Sequence, residues 1–244
     1  RPMSKQSWAY PSFETTAYSG TSIWGDKLDY AYDEAGTDIV EMLREHGYTV
    51  NSSGKVTRGP NGKISEITFT IAGESDDHPA YVMFKNAQEV LKKIGINVNV
   101  KTDAFALKKL ASGQLEVWAA AWGSTIDPDM YQVYHKKSSA TSIKNWGFPY
   151  IEEEGTTEEK KMLDDLAYLI EDARSTVDQE YRKEKYSEAL DLVMSMAVEL
   201  ATYQRKNLFI WNSAVIDSDT LCEATAYQSP LSKIWEVSLK ETKK

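Results

Sequence analysis

Apolar positions along this chain recur with two different periods, and the alternation between them is regular over its first half. Ile67, Phe69 and Ile71 alternate with polar neighbours, and Ile96, Val98 and Val100 alternate with Asn97, Asn99 and Lys101. A period of two predicts strands. Between these runs, Tyr81, Phe84, Ala87, Leu91 and Ile94 follow the spacing of an amphipathic helix that Gly95 ends. A short helix carrying Leu107 and Leu110 is expected next, capped by Asp103 and closed by Gly113. Residues 117–122, Val-Trp-Ala-Ala-Ala-Trp, hold no charge and no turn former, which predicts a central strand covered on both faces. The order is β-α-β-α-β with short connections. Strands near 64–72, 96–102 and 115–122 are therefore expected to be parallel neighbours in one sheet, joined by right-handed crossovers.

The flanks are more helical. From Leu28 to His46 the spacing of Tyr32, Ala35, Ile39 and Leu43 predicts a helix with Gly47 as its C-cap. Residues 51–63 and 73–77 are rich in turn formers. Thr156 and Glu159 have capping-box spacing for a helix over 157–174, with Leu163, Leu166 and Ile170 as its apolar stripe. Asp178 starts another, on which Tyr186, Ala189, Leu190, Val193 and Ala197 face inward. Residues 1–25 look irregular, and 198–216 read as extended.

Ligands of open parallel sheets bind just past the carboxyl ends of the strands. That rule singles out the break after Trp122, where Gly123, Ser124 and Thr125 end the apolar run. Asp127 is then expected as a helix N-cap, with Pro128 at the first helical position. One carboxylate oxygen of Asp127 can cap while the other faces a cleft. Trp122 and Trp146 each precede a glycine, a setting that suits either a core plug or an aromatic wall. The candidate ligand-binding residues are Trp122, Gly123, Ser124, Thr125, Asp127 and Trp146.

Charge and cysteine content narrow the classes. A net charge of −9 over 244 residues argues against nucleic acid and against anionic lipid. Cys222 is the single cysteine, so neither an intrachain disulfide nor a cysteine-based zinc site can form. No apolar stretch is long enough to span a membrane. The first residues, Arg1-Pro-Met-Ser-Lys-Gln6, are neither a signal peptide nor a lipobox, and suit a mature piece or an expressed fragment.

Signatures of chemistry are missing. There is no G-x-S-x-G elbow, Walker loop, G-x-G-x-x-G or Cys-His arrangement, so no catalytic residue is assigned. His46, His78 and His135 lack metal-ligand spacing. Asp127-Pro-Asp129 fails as a calcium loop because Gln132 and Ser138 stand where glycine and glutamate are required. No metal and no cofactor is expected.

Five pieces of the chain stand out together and in order. They are Tyr30-Ala-Tyr-Asp-Glu-Ala with Met42-Leu-Arg-Glu-His-Gly-Tyr48, Gly62-Lys-Ile-Ser-Glu-Ile-Thr-Phe69, and Ala87-Gln-Glu-Val-Leu-Lys-Lys-Ile-Gly-Ile-Asn-Val98. The last two are Trp122 to Tyr131, of the form "W-x-x-x-x-D-P-D-x-Y", and Arg182 to Tyr186 with Glu199-Leu-Ala-Thr-Tyr203. In this order they resemble the family 5 extracellular solute-binding proteins, the oligopeptide- and dipeptide-binding components of ABC importers. Two departures stand out. Peptide binders of the family commonly carry an aspartate before this Asp-Pro-Asp that pairs with the peptide's α-amino group, whereas Gly123-Ser-Thr-Ile126 holds no acid. Ala201 also stands where the family usually has proline.

The resemblance implies an α/β fold, a type II periplasmic-binding-protein-like lobe with a parallel β-α-β-α-β core and added C-terminal helices. It implies an irregular lead-in over 1–27, a C-terminal ligand-binding lobe over 28–205, and a return segment toward a first lobe over 206–244. It further implies a monomeric, non-enzymatic, extracytoplasmic receptor, periplasmic or anchored at the cell surface as a lipoprotein. Such a receptor closes around an oligopeptide and delivers it to an ABC permease. A nickel chelate, oligosaccharide or opine is the alternative cargo. An enzyme or sensor domain on the same lobe is the alternative class.

Overall fold

The computed structural model describes residues 2–10, 37–62, 66–73, 77–123, 125–202, 204, 206–225 and 227–240. Helix α1, Thr37–Glu45, ends where Gly47 turns left-handed at φ 81° and Tyr48 N–H bonds to Leu43 O at 2.9 Å. Tyr32 and Ala35, expected on the same helix, lie outside the described residues. The turn-rich stretch that follows forms a small antiparallel pair, β1 (Thr49–Val50) with β2 (Val56–Arg58).

The main sheet uses β3 (Ile67–Ala72), then helix α2 (Pro79–Lys93), β4 (Val98–Asp103), helix α3 (Ala106–Ala111) and β5 (Val117–Ala119). Its strand order is β4-β3-β5, with both pairings parallel. Ile67 sits opposite Val98, and Phe69 opposite both Val100 and Val117. The expected parallel trio is present. Helix α2 packs on β3 and β4, with Phe84 edge-on to Phe69 at 4.9 Å between ring centroids. His78 caps α2 by accepting the Ala80 N–H on Nδ1 at 3.1 Å. Gly95 ends that turn at φ 85°, where a Cβ would lie 2.7 Å from the Val56 carbonyl oxygen; only glycine permits this approach.

Three local expectations fail in and beside the sheet. First, β5 is not the central strand: among the described residues it pairs only with β3, and it is half-buried along its three residues. The enclosed strand is β3, whose Thr70 and Ile71 are buried. The apolar run 117–122 leaves the sheet after Ala119, and Trp118 spends its apolar surface on the helical core instead. An uncharged run does not distinguish these two fates. Second, Asp103 does not cap α3. Its carboxylate accepts the Phe105 N–H at 2.8 Å and pairs with Lys109, the helix begins at Ala106, and Leu107 is exposed.

Third, no helix starts at Pro128. Asp127 Oδ1 accepts the Asp129 N–H at 3.1 Å and Asp129 Oδ1 accepts the Tyr131 N–H at 3.0 Å, two successive side-chain turns. Helix α4 is Tyr131–Tyr134, with Met130 in the cap position.

Short helices α5 (Thr141–Asn145) and α6 (Phe148–Glu154) lead to the long pair α7 (Thr157–Arg174) and α8 (Gln179–Ser195). The capping box forms as expected: Thr156 Oγ1 accepts the Glu159 N–H at 3.2 Å, and Glu159 Oε2 accepts the Thr156 N–H at 2.7 Å. Asp178 caps α8 through the N–H groups of Glu180 and Tyr181. Leu163, Leu166 and Ile170 meet Tyr186, Ala189, Leu190 and Val193 in the main core, joined by Phe148, Tyr134 and Trp146. Ala197, expected to face inward, instead lies beyond the helix end, exposed and left-handed at φ 52°. Past α8 the described chain is mostly irregular, pinned by an isolated antiparallel bridge between Ile216 and Leu239.

Candidate ligand-binding site

The carboxyl end of β5 opens into the 120–130 loop, and here the structure brings two of the expected site residues together. The rings of Trp122 and Trp146 lie 6.2 Å apart. Their surroundings differ. Trp122 is 54% exposed, whereas Trp146 is 7% exposed. Trp146 lies nearly parallel to Trp118 at 5.7 Å and to Tyr134 at 6.2 Å, and its indole N–H donates to Val133 O at 2.9 Å. Trp146 is thus a core plug that backs the wall, and Trp122 is the ring the wall shows to solvent. Gly123 and Thr125 are exposed, and Thr125 Oγ1 donates to Asp127 O at 2.5 Å. Ser124 lies outside the described residues.

Asp127 is already engaged. Arg182, on the first turns of α8, makes a two-pronged contact with it, Nη2 to Oδ1 at 2.9 Å and Nη1 to Oδ2 at 3.4 Å. The same guanidinium donates to Ala173 O at 3.1 Å and to Tyr186 Oη at 3.0 Å. Asp129 is held likewise by Arg174 Nε at 3.1 Å, and that guanidinium lies 4.3 Å from the centre of the Tyr131 ring. Two arginines of the α7–α8 hairpin therefore fix the loop that carries Trp122. Tyr131 also stacks with His135, ring centroids 4.2 Å apart. His135 is fully buried, accepts the Lys137 N–H on Nδ1 and faces Glu171 through Nε2 at 3.1 Å. Burial holds its imidazole below the ordinary value despite Glu171.

One site residue was not foreseen. Glu199, just past α8, accepts a hydrogen bond from the hydroxyl of Tyr134, a member of the aromatic cluster around Trp146. Burial raises this carboxyl above the ordinary carboxylate value, and the Tyr134 hydrogen bond offsets that only in part. Burial, together with the facing Glu199, also keeps Tyr134 in its protonated, donating form. The signal in the sequence is a lone acid inside the apolar run Met196-Ala-Val-Glu-Leu-Ala201. Among the described residues, no group of three histidine, cysteine, aspartate or glutamate side chains is placed to hold a metal ion.

An aromatic wall and a partly buried acid at the carboxyl edge of a parallel sheet suit binding of a small solute. The profile described as bacterial extracellular solute-binding proteins, family 5 Middle, matches residues 2–144, more than half of the chain. The chain belongs to this family. The fold of this family 5 protein is that of type II periplasmic binding proteins. It superimposes on the oligopeptide-binding protein AppA from Bacillus subtilis, solved with a nonapeptide, at a TM-score of 0.56 and 19% identity over 81% of the chain. It superimposes on NikA from Brucella suis, solved with Fe(III)-EDTA, at a TM-score of 0.50 and 19% identity over 76% of the chain. The family 5 chain spans about a third of each of those proteins, 34% in both cases. No curated protein matches the sequence. Among the described residues, no helix is long and apolar enough to cross a membrane.

Proposed function

We propose that this chain is the C-terminal lobe of an extracytoplasmic receptor that captures oligopeptides and hands them to an ABC permease. Residues 28–205 form the ligand-binding lobe in this reading, 1–27 lead into it, and 206–244 return toward a first lobe. The observation that carries it is the exposed Trp122 ring against Trp146, with the Tyr134–Glu199 pair nearby, at the carboxyl edge of the sheet in a chain of family 5. An extended peptide needs flat apolar surface for its side chains and a few fixed polar groups for its ends, and this edge offers both. The relative solved with a nonapeptide supports peptide as the cargo class. Closure of a second lobe over this edge would complete the enclosure. A nickel chelate, oligosaccharide or opine would use the same wall with different polar partners. Mass spectrometry of ligand co-purified with the native full-length protein tests the reading. Peptides of mixed sequence are expected; a single non-peptide solute in stoichiometric amount would replace them as cargo.

A further inference from the structure

His135 is fully buried, yet it is the residue type whose ordinary ionisation falls near neutrality. Its hydrogen bonds fix where its proton sits. Nδ1 accepts the Lys137 N–H at 3.1 Å, and a backbone amide only donates, so the neutral ring carries its proton on Nε2 and offers it to Glu171 at 3.1 Å. A second proton has to enter at Nδ1. There it meets the Lys137 N–H, donor against donor, in a turn where the Ser138 N–H also donates to His135 O at 2.8 Å. The charges around the ring do not compensate. Glu171 on α7 faces it, but that side chain is half exposed, so water screens the attraction. Arg174, also on α7, and Lys137 oppose a charge on the ring. Lys144, the charged residue of α5, lies beside Gly113 instead.

The ring is joined to the candidate site through α4. Tyr131 stacks on His135, and its carbonyl accepts the His135 N–H at 3.0 Å. The Arg174 guanidinium rests 4.3 Å from the centre of the Tyr131 ring while its Nε holds Asp129 at 3.1 Å. Asp129 in turn accepts the Tyr131 N–H at 3.0 Å. These four residues form a closed set of contacts at the end of the loop that carries Trp122. Displacing the imidazole removes the surface on which Tyr131 is stacked.

We propose that His135 is a pH-sensitive clasp on this loop: neutral, it holds Tyr131, and with it Arg174 and Asp129, in place; protonated in mildly acidic surroundings, it leaves its buried position and frees the 120–130 loop to open. The opening needs no cargo, and that a freed loop lets cargo go rests on the receptor reading above. In the opened state the ring meets water and regains the ordinary imidazole value of about 6.5, whereas in the closed state burial holds it lower. Acid therefore favours opening. The advantage of the closed loop is complete above the ordinary value and declines as pH falls below it. One proton shifts this equilibrium by at most about tenfold between pH 7.5 and 5.5.

Hydrogen exchange on the native full-length protein without ligand, corrected for the intrinsic pH dependence of exchange, tests the clasp. Protection of the amides over 129–138 is expected to fall by about three- to tenfold from pH 7.5 to 5.5. It should lie below the protection of α8 at both values, because the loop opens on its own, and it should not respond to pH in His135→Gln. Unchanged protection in the native protein overturns the clasp, and so does a response that persists in His135→Gln. Equal protection of these amides and of α8 at pH 5.5 overturns it as well, because the opening is then that of the whole lobe. Should the variant not fold, the imidazole nitrogen NMR signals of the native protein at pH 7.5 decide. A proton on Nε2, together with the native pH response, upholds the clasp; a proton on Nδ1 removes the conflict with Lys137 and overturns it. None of these outcomes depends on peptide binding, so the receptor reading stands or falls separately.

Discussion

Arg182 contributes more to this fold than the aspartate it grips. Its side chain is 14% exposed, and its guanidinium satisfies Ala173 O and Tyr186 Oη as well as Asp127, whose own side chain is 61% exposed. Arg182→Met strands those buried acceptors and should cost about 2–3 kcal/mol. Asp127→Ala loses a largely solvated pair and should cost about 0.5–1 kcal/mol. Urea unfolding of both variants measures the difference, and equal costs would show the contact to be an ordinary surface pair. His135 supplies a pH dependence. Its folded value is lowered, so the unfolded chain binds the proton first as pH falls. Its stabilisation is complete above the ordinary imidazole value of about 6.5 and is lost as pH drops from there to the folded value. Glu199, raised by burial, works in the opposite sense: its contribution is complete below the ordinary carboxylate value and fades as pH climbs through the folded one. Unfolding free energies from pH 7.5 to 5 should therefore fall less steeply in His135→Gln than in the native chain, and an unchanged slope would contradict the assignment. At this scale the sequence was misleading where tertiary partners decide. Asp127-Pro-Asp129 meets local rules for a helix start, but the aspartates are engaged by Arg182 and Arg174, which adjacency along the chain does not reveal.

Elements were legible where their code is local. The box at Thr156 and Glu159, the cap at Asp178, and the glycine stops at 47 and 95 all act within a few residues, and each forms as its spacing predicts. Thr156→Ala should accordingly cost about 1 kcal/mol in urea unfolding. Gly95→Ala should cost more, about 1–3 kcal/mol, because the backbone is left-handed there and Val56 O stands in the way. A Gly95→Ala chain as stable as the native one would mean that β2 yields freely. Sheet order is a different matter. Three strands with alternating or uncharged runs announce themselves, but which one is flanked on both sides depends on pairing partners. The charge-free run before Trp122 therefore read as central although β5 lies beside β3 alone among the described residues. Glu199 escaped notice for a related reason: its hydrogen-bond partner Tyr134 lies on α4, far away in sequence.

For the molecule as a whole, the order of elements was enough to give the α/β class and the parallel trio, because short connections leave few topologies open. The proposed sharing of cargo with a second lobe is not legible in the same way, since half of a cleft would leave no imprint on the composition of the other half. If cargo is enclosed from two sides, these 244 residues alone should bind peptide at millimolar strength or worse, and the full-length protein at about micromolar or tighter, a gap of several kcal/mol. Isothermal titration with one peptide on both would decide it, and equal affinities would place the whole site on this lobe. The strand order β4-β3-β5 has a consequence for how the chain folds. The pairing of β5 with β3 must wait until α2, β4 and α3 have been gathered between them, and that closure entropy is paid before any ladder bond repays it. The α7–α8 hairpin, closed by a loop of a few residues, meets no such delay. Pulse-labelled hydrogen exchange during refolding should find the amides of α7 and α8 protected before those of Val117–Ala119. The edge that leads into Trp122 would then be the last part of the lobe to acquire its shape and the first to open.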